Sequence, residues 1–135
     1  MARSITLIAP VWPAGIVGAL AHDGDAAVAI VAARRNFGGL GIDVEPAEAI
    51  ADALMPRIAD VRERAAFRRE SYGAKMLFSI KEAVFKAVHP QDGAMLDFLD
   101  IHIDRKSQTA RTSYGRVIEW RIASSPRVLA TAWWR

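Results

Sequence analysis

At 135 residues, 52% hydrophobic and 24% charged, the chain has the size of one domain and enough apolar side chain for a real core, which excludes a disordered polypeptide. It holds no cysteine, which excludes disulfides, thiolate metal sites and a cysteine nucleophile and fits a reducing compartment. The formal net charge of +3 favours an acidic partner, protein or nucleic acid, and no run of ~20 apolar residues exists to span a membrane.

In chain order, Ile5 to Ala9 reads as a short strand. Arg3 precedes it and Ala19-Leu20-Ala21 imitates a leader cleavage site, but Pro10, Pro13, Gly15 and Gly18 break the apolar segment; the expectation is a cytoplasmic protein without a secretory leader. The turn-rich stretch from Pro10 to Gly18 leads to an Ala/Val-rich strand, Ala26 to Ala33. Arg34 to Gly39, with Asn36 and paired glycines, is read as a hairpin connection to the strand Gly41 to Glu45, which Pro46 ends. Residues 47–55 and 60–71 are expected as helices separated by Pro56. Arg57, Arg62, Arg64, Arg68 and Arg69 concentrate positive charge in this region, the one feature that would suit a nucleic-acid-binding module. A long helix is predicted over 74–88, stopped by Pro90 and Gly93, with His89 favouring its C-terminal dipole. Phe98 to Asp104, Val117 to Ala123 and Val128 to Trp134 are predicted strands, the last two joined by a turn at Ser124-Ser125-Pro126. Trp120, Trp133 and Trp134 on these strands suit packing rather than base stacking. The expected fold is α+β: an antiparallel sheet packed against a long central helix, as a single domain over 1–135.

The central helix carries the most chemistry. From Ala74 to Val88 it is apolar on nearly every side, so its polar residues need a reason. Lys75, Ser79, Glu82 and Lys86 are spaced 4, 3 and 4, one narrow line along the helix. One reading is a solvated face with ordinary Glu–Lys pairs. The strand Gly41 to Glu45 supports another, because a side-chain period of two points Asp43 and Glu45 to the same side. Two carboxylates ~4 Å apart repel by about 4 kcal/mol at an effective dielectric of ~20, so an ionised pair invites a cation. With Glu82 they would make a three-carboxylate oxygen site suited to Mg²⁺ and phosphate oxygens.

Gly41-Ile42-Asp43-Val44-Glu45 and Phe78-Ser79-Ile80-Lys81-Glu82-Ala83-Val84-Phe85-Lys86, about forty residues apart, resemble the G-[IV]-D-x-E strand and [FW]-[ST]-x-K-E-x-x-x-K helix of the 4′-phosphopantetheinyl transferases of the surfactin and enterobactin synthetase type. Upstream, Val11 to Gly15 and Gly18 to His22 look like the W-P-x-G and G-S-x-[ST]-H segments of the enterobactin branch, and Leu96 to Phe98 and Leu129 to Ala132 look like strands of the family's second lobe. The resemblance implies Mg²⁺-dependent transfer of 4′-phosphopantetheine from coenzyme A to a carrier-protein serine, releasing 3′,5′-ADP. It assigns metal ligation to Asp43, Glu45 and Glu82 and catalytic roles to Glu82 and Lys86, with Glu82 or a bound water as the base. It assigns phosphate contacts to Lys81 and Lys86 and the 3′-phosphate to His22. Ala19 and Ala21 replace hydroxyl residues and Asp23 an often small polar one, which implies weaker coenzyme A binding. The match is to the metal-binding second lobe, so the implied assembly is a homo-oligomer, or a pairing with a separate partner lobe.

Overall fold

The computed structural model describes residues 10–135, and the strand expected over Ile5 to Ala9 lies outside the described residues. Strands β1 (Ile16–Asp23) and β2 (Ala26–Ala33) pair antiparallel in a hairpin turned at Gly24, whose φ of 58 suits a residue without a Cβ. Strands β3 (Gly39–Glu45), β4 (Ile101–Asp104), β5 (Thr109–Thr112), β6 (Val117–Ala123) and β7 (Val128–Trp134) form a second sheet in the order β3-β7-β6-β5-β4, antiparallel throughout. Helices α1 (Met55–Ile58), α2 (Val61–Phe67) and α3 (Gly73–Asp92) complete the fold. The architecture is the expected α+β arrangement, with α3 lying on the five-stranded sheet.

Hydrophobic burial explains the layering. One cluster joins Ile80, Val84, Phe85 and Val88 of α3 to Ile101, Ile118, Trp120, Val128 and Ala130 of the sheet. A second joins Ala19 and Ala21 of β1 to Ile42 and Val44 of β3. Both faces of β3 are therefore covered, by α3 on one side and the hairpin on the other, and a continuous run of buried residues results.

Several predicted elements needed correction. Ile16 to Asp23, of which only Ile16 to Gly18 fall in the expected turn-rich stretch and the rest in no predicted element, is a full strand in which Val17, Ala19 and Ala21 alternate inward. Residues 47–50 are not helical; a 3-10 turn over Asp52–Leu54 runs into the single turn of α1, with Pro56 in its first positions. Helix α2 starts at a capping box between Asp60 and Glu63 and ends at Phe67. Helix α3 continues through Pro90 and stops at Gly93, which adopts the left-handed conformation and donates its N–H to the His89 carbonyl at 2.9 Å. Phe98–Asp100 is a 3-10 turn before β4, and β5 was not anticipated.

Candidate active site

Strand β3 and helix α3 meet along a shared step. Two strand residues advance ~6.6 Å and four helix residues ~6 Å, so alternate β3 positions fall opposite successive turns of α3. A Cβ on Gly39 would lie 1.9 Å from the Ala87 carbonyl oxygen, and one on Gly41 would lie 1.8 Å from that of Ala83. Continuing the step, the Asp43 carbonyl accepts from Ser79 Oγ at 3.5 Å. Two glycines thus let the helix backbone rest on the strand, and Asp43 is the first side chain caught between them. The line of Ser79, Glu82 and Lys86 faces β3, not solvent: Ser79 and Glu82 are buried and Lys86 is half-buried.

Lys86 Nζ donates to the carbonyls of Ile42 at 3.0 Å and Leu20 at 3.3 Å, and approaches Asp43 Oδ1 at 3.5 Å. Asp43 Oδ2 is buried and accepts no hydrogen bond. Burial pushes the Asp43 carboxyl up from 3.8 to about 6; Lys86 opposes the rise, the nearby Glu82 carboxylate adds to it, and the Ser79 and Glu45 side chains pull it back. Asp43, Glu45, Glu82, Ser79 and Lys86 therefore share one electrostatic neighbourhood. The carboxylates among them suit a hard divalent cation, because a buried carboxylate oxygen without a partner beside a second carboxylate gains from added positive charge. Among the described residues, however, no three carboxylate or histidine side chains stand gathered as ligands around one point.

The Asp43 shift has a testable sign. The folded protein holds this proton more tightly than the unfolded chain, so between about pH 4 and pH 6 the folded state binds more protons and stability falls as pH rises, the full cost being present above pH 6. A shift of two units corresponds to at most about 3 kcal/mol. Urea midpoints measured from pH 4 to 7 should fall less steeply for Asp43→Asn than for the parent chain. Parallel profiles for the two proteins would show that Asp43 does not titrate in this window.

Lys81 departs from its expected role at a phosphate. Its side chain is fully buried on another side of α3, and Nζ donates to the Ile58 carbonyl at 2.8 Å, Glu63 Oε1 at 2.9 Å and the Phe98 carbonyl at 3.0 Å. An ammonium has three protons, and all three are used. Burial lowers its pKa against the opposing pull of Glu63. Glu63 in turn accepts from the backbone N–H groups of Asp60 and Ile103, so one buried ion pair ties together α1, α2, α3 and β4. Sequence reading missed Glu63; the signal available was the Asp60-x-x-Glu63 capping pattern, which marks a glutamate held at a helix start.

His22 is exposed on the outward face of β1, the face opposite to Ala21 and Asp23. Asp23 does not stand as a lone anion: Arg127, next to β7, donates from Nη1 to its Oδ2 and from Nη2 to Asp25 Oδ1 at 3.0 Å. This bridge was also not foreseen. The indoles act as packing groups: Trp120 is buried, and Trp134 donates to the Ala87 carbonyl at 2.8 Å beneath the Arg116 guanidinium.

Comparison with known proteins decides the family. Residues 39–132 match the model of the 4′-phosphopantetheinyl transferase superfamily. The chain belongs to that superfamily. Residues 6–32 match a second model, the 4′-phosphopantetheinyl transferase N-terminal domain, so the likeness reaches beyond the second lobe into the first. Among curated phosphopantetheinyl transferases, Svp of Streptomyces mobaraensis is 37% identical over 113 residues, 76% of this chain and 46% of that protein. PptT of Mycobacterium tuberculosis is 36% identical over 70% of this chain and 43% of its own length. Enterobactin synthase component D of Salmonella typhi is 32% identical over 58% of this chain and 34% of its own length. The chain spans about a third to a half of the length of these curated relatives. No helix among the described residues is long and apolar enough to cross a membrane.

Proposed function

We propose that this chain is a cytoplasmic 4′-phosphopantetheinyl-transferase-like domain over 1–135 that moves 4′-phosphopantetheine from coenzyme A to a serine of an acyl or peptidyl carrier protein. The observation that carries the reading is Asp43, a buried carboxylate with an orphaned oxygen, held beside the Glu82 carboxylate and the Lys86 ammonium by the β3–α3 contact. Asp43, Glu45 and Glu82 would hold Mg²⁺, which when bound offsets the charge of the coenzyme A pyrophosphate. In the reaction the serine oxygen bonds to the phosphorus that bears the pantetheine arm. The bond from that phosphorus to the bridging oxygen breaks, and 3′,5′-ADP leaves. The serine proton passes to Glu82 directly or through water. Lys86, the half-buried ammonium beside Asp43, would supply positive charge at the breaking bond. His22 would contact the 3′-phosphate from the hairpin. Lys81 is assigned to the buried ion pair and not to the ligand.

The hairpin's outward face leaves Leu20 50% and Val31 56% exposed, an apolar surface suited to a partner lobe or a second copy of the chain. A second reading, a non-catalytic lobe that binds a carrier or partner subunit, is favoured by the absence of a gathered three-ligand cluster among the described residues. A transfer assay separates the two: an apo carrier protein is incubated with coenzyme A and Mg²⁺, and its mass is followed, with light scattering to establish the assembly present. The transferase reading expects phosphopantetheine on the serine, and Glu82→Gln should slow transfer by roughly 10² to 10⁴-fold without unfolding the domain. Absence of any mass gain with the parent chain would favour the non-catalytic reading.

A further inference from the structure

The two family matches divide the described structure at a seam. The β1–β2 hairpin falls within residues 6–32 apart from Ala33 and β3 to β7 fall within residues 39–132 apart from the end of β7, while the hairpin shares no backbone ladder with the larger sheet. Apolar packing of Ala19 and Ala21 on Ile42 and Val44 holds the two together. Such packing is non-directional, and small side chains such as alanine leave the angle and sliding position of a two-stranded ribbon weakly fixed. Hydrogen bonds have to set that position. Among the described residues, two side chains of the larger unit reach polar groups of the hairpin strands and their turn: Lys86, at the Leu20 carbonyl, and Arg127, at Asp23 and Asp25.

Of these, Arg127 has the stronger geometry. Its two terminal nitrogens divide between carboxylates two residues apart, one on either side of Gly24, so the guanidinium spans the hairpin turn. Its side chain is 34% exposed and that of Asp23 is 25% exposed, whereas Asp25 is 96% exposed; the Asp23 contact is therefore the effective half of the bridge. A planar fork of donors against carboxylates fixes orientation as well as distance, which a lysine could not do. The grip lies at the far end of β1 from the Leu20 carbonyl only by three residues, so movement at the turn is felt where Lys86 is held and where His22 is displayed.

We infer that Arg127 is a positioning residue: its bridge to Asp23 and Asp25 clamps the β1–β2 hairpin to the sheet and so sets the spacing between the His22 and Lys86 ends of the site. The role in the site rests on the transferase reading above, whereas the clamp itself does not. Asp23, on this view, aids ligand binding by holding Arg127 in place, and the weakening expected from a lone negative charge at this position does not arise.

Two measurements test it. Amide hydrogen exchange of Arg127→Gln should show residues 16–33 exchanging roughly tenfold faster than in the parent, with β6 and β7 unchanged. The swap of Arg127→Asp with Asp23→Arg should restore most of the protection. Equal acceleration across the whole chain, or none in the hairpin, would overturn the clamp. In calorimetry, Arg127→Gln should weaken coenzyme A by about tenfold and the swap should regain affinity. Unchanged coenzyme A affinity alongside a loosened hairpin would overturn the positioning role. If the parent chain itself binds no coenzyme A, the transferase reading fails, and hydrogen exchange still decides the clamp.

Discussion

Gly41→Ala should destabilise the domain by about 3 kcal/mol or more, the upper end of what overpacking usually costs. The new Cβ would lie 1.8 Å from the Ala83 carbonyl oxygen, 2.8 Å from its carbon and 2.9 Å from the Ala87 nitrogen. All three atoms are helix backbone, so no side-chain rotation relieves the clash. Helix α3 would have to lift from β3, stretching the contacts of Ile80 and Val84 with the sheet and carrying Ser79 and Glu82 away from Asp43. A domain stability of about 5 to 15 kcal/mol leaves little room for such a loss. Urea unfolding should show a large drop in midpoint at unchanged slope, and whatever protein remains folded should have lost the raised Asp43 titration. A variant within 0.5 kcal/mol of the parent would mean that the close approach is not a feature of the protein in solution.

Lys81→Met is expected to cost about 3 to 5 kcal/mol, the usual effect of stripping one partner from a buried ion pair. Methionine fills much of the lysine stem's volume, so the loss is chiefly electrostatic: Glu63, 4% exposed, would keep its two backbone donors and lose its counter-charge. The carbonyls of Ile58 and Phe98 would lose a donor as well. Adding Glu63→Gln should recover part of the stability, because a neutral amide needs no counter-ion. The outcome also bears on function. A phosphate-binding lysine would behave in the reverse way, with Lys81→Met leaving stability intact and weakening coenzyme A.

Much of this arrangement was legible because it rests on local periodicity. The strands Val117 to Ala123 and Val128 to Trp134 emerge with the bounds read from alternation, and the polar line on α3 was visible as a break in an otherwise apolar wheel. Strand β1 was hidden by Gly18, which reads as a turn residue yet serves to let Trp12 approach: a Cβ there would lie 2.7 Å from the indole. Strand β5 has only four residues, Thr-Ala-Arg-Thr, too short for a periodic signal. Residues 47–55 have good helix formers, but intrinsic propensity is worth only tenths of a kcal/mol per residue, and within this stretch only Met55 is buried, with Ala47 and Ile50 partly buried against the core. The ion pairs Lys81–Glu63 and Arg127–Asp23 join residues far apart in sequence, and no period of a single element announces such a partner.

The ladder between β3 and β7 has a consequence for how the protein is made. Gly39 pairs with Trp134 and Glu45 with Val128, so the strand that carries two of the candidate site carboxylates finds its backbone partner only among the residues synthesised after all the other described elements. On a ribosome releasing roughly 5 to 20 residues per second, β3 waits seconds with no ladder partner for its N–H and C=O groups, its faces covered by the hairpin and, once made, by α3. The nascent β1–β2–β3 segment is thus the portion most exposed to non-native pairing, and the strand beneath the acidic site is the last to gain its ladder.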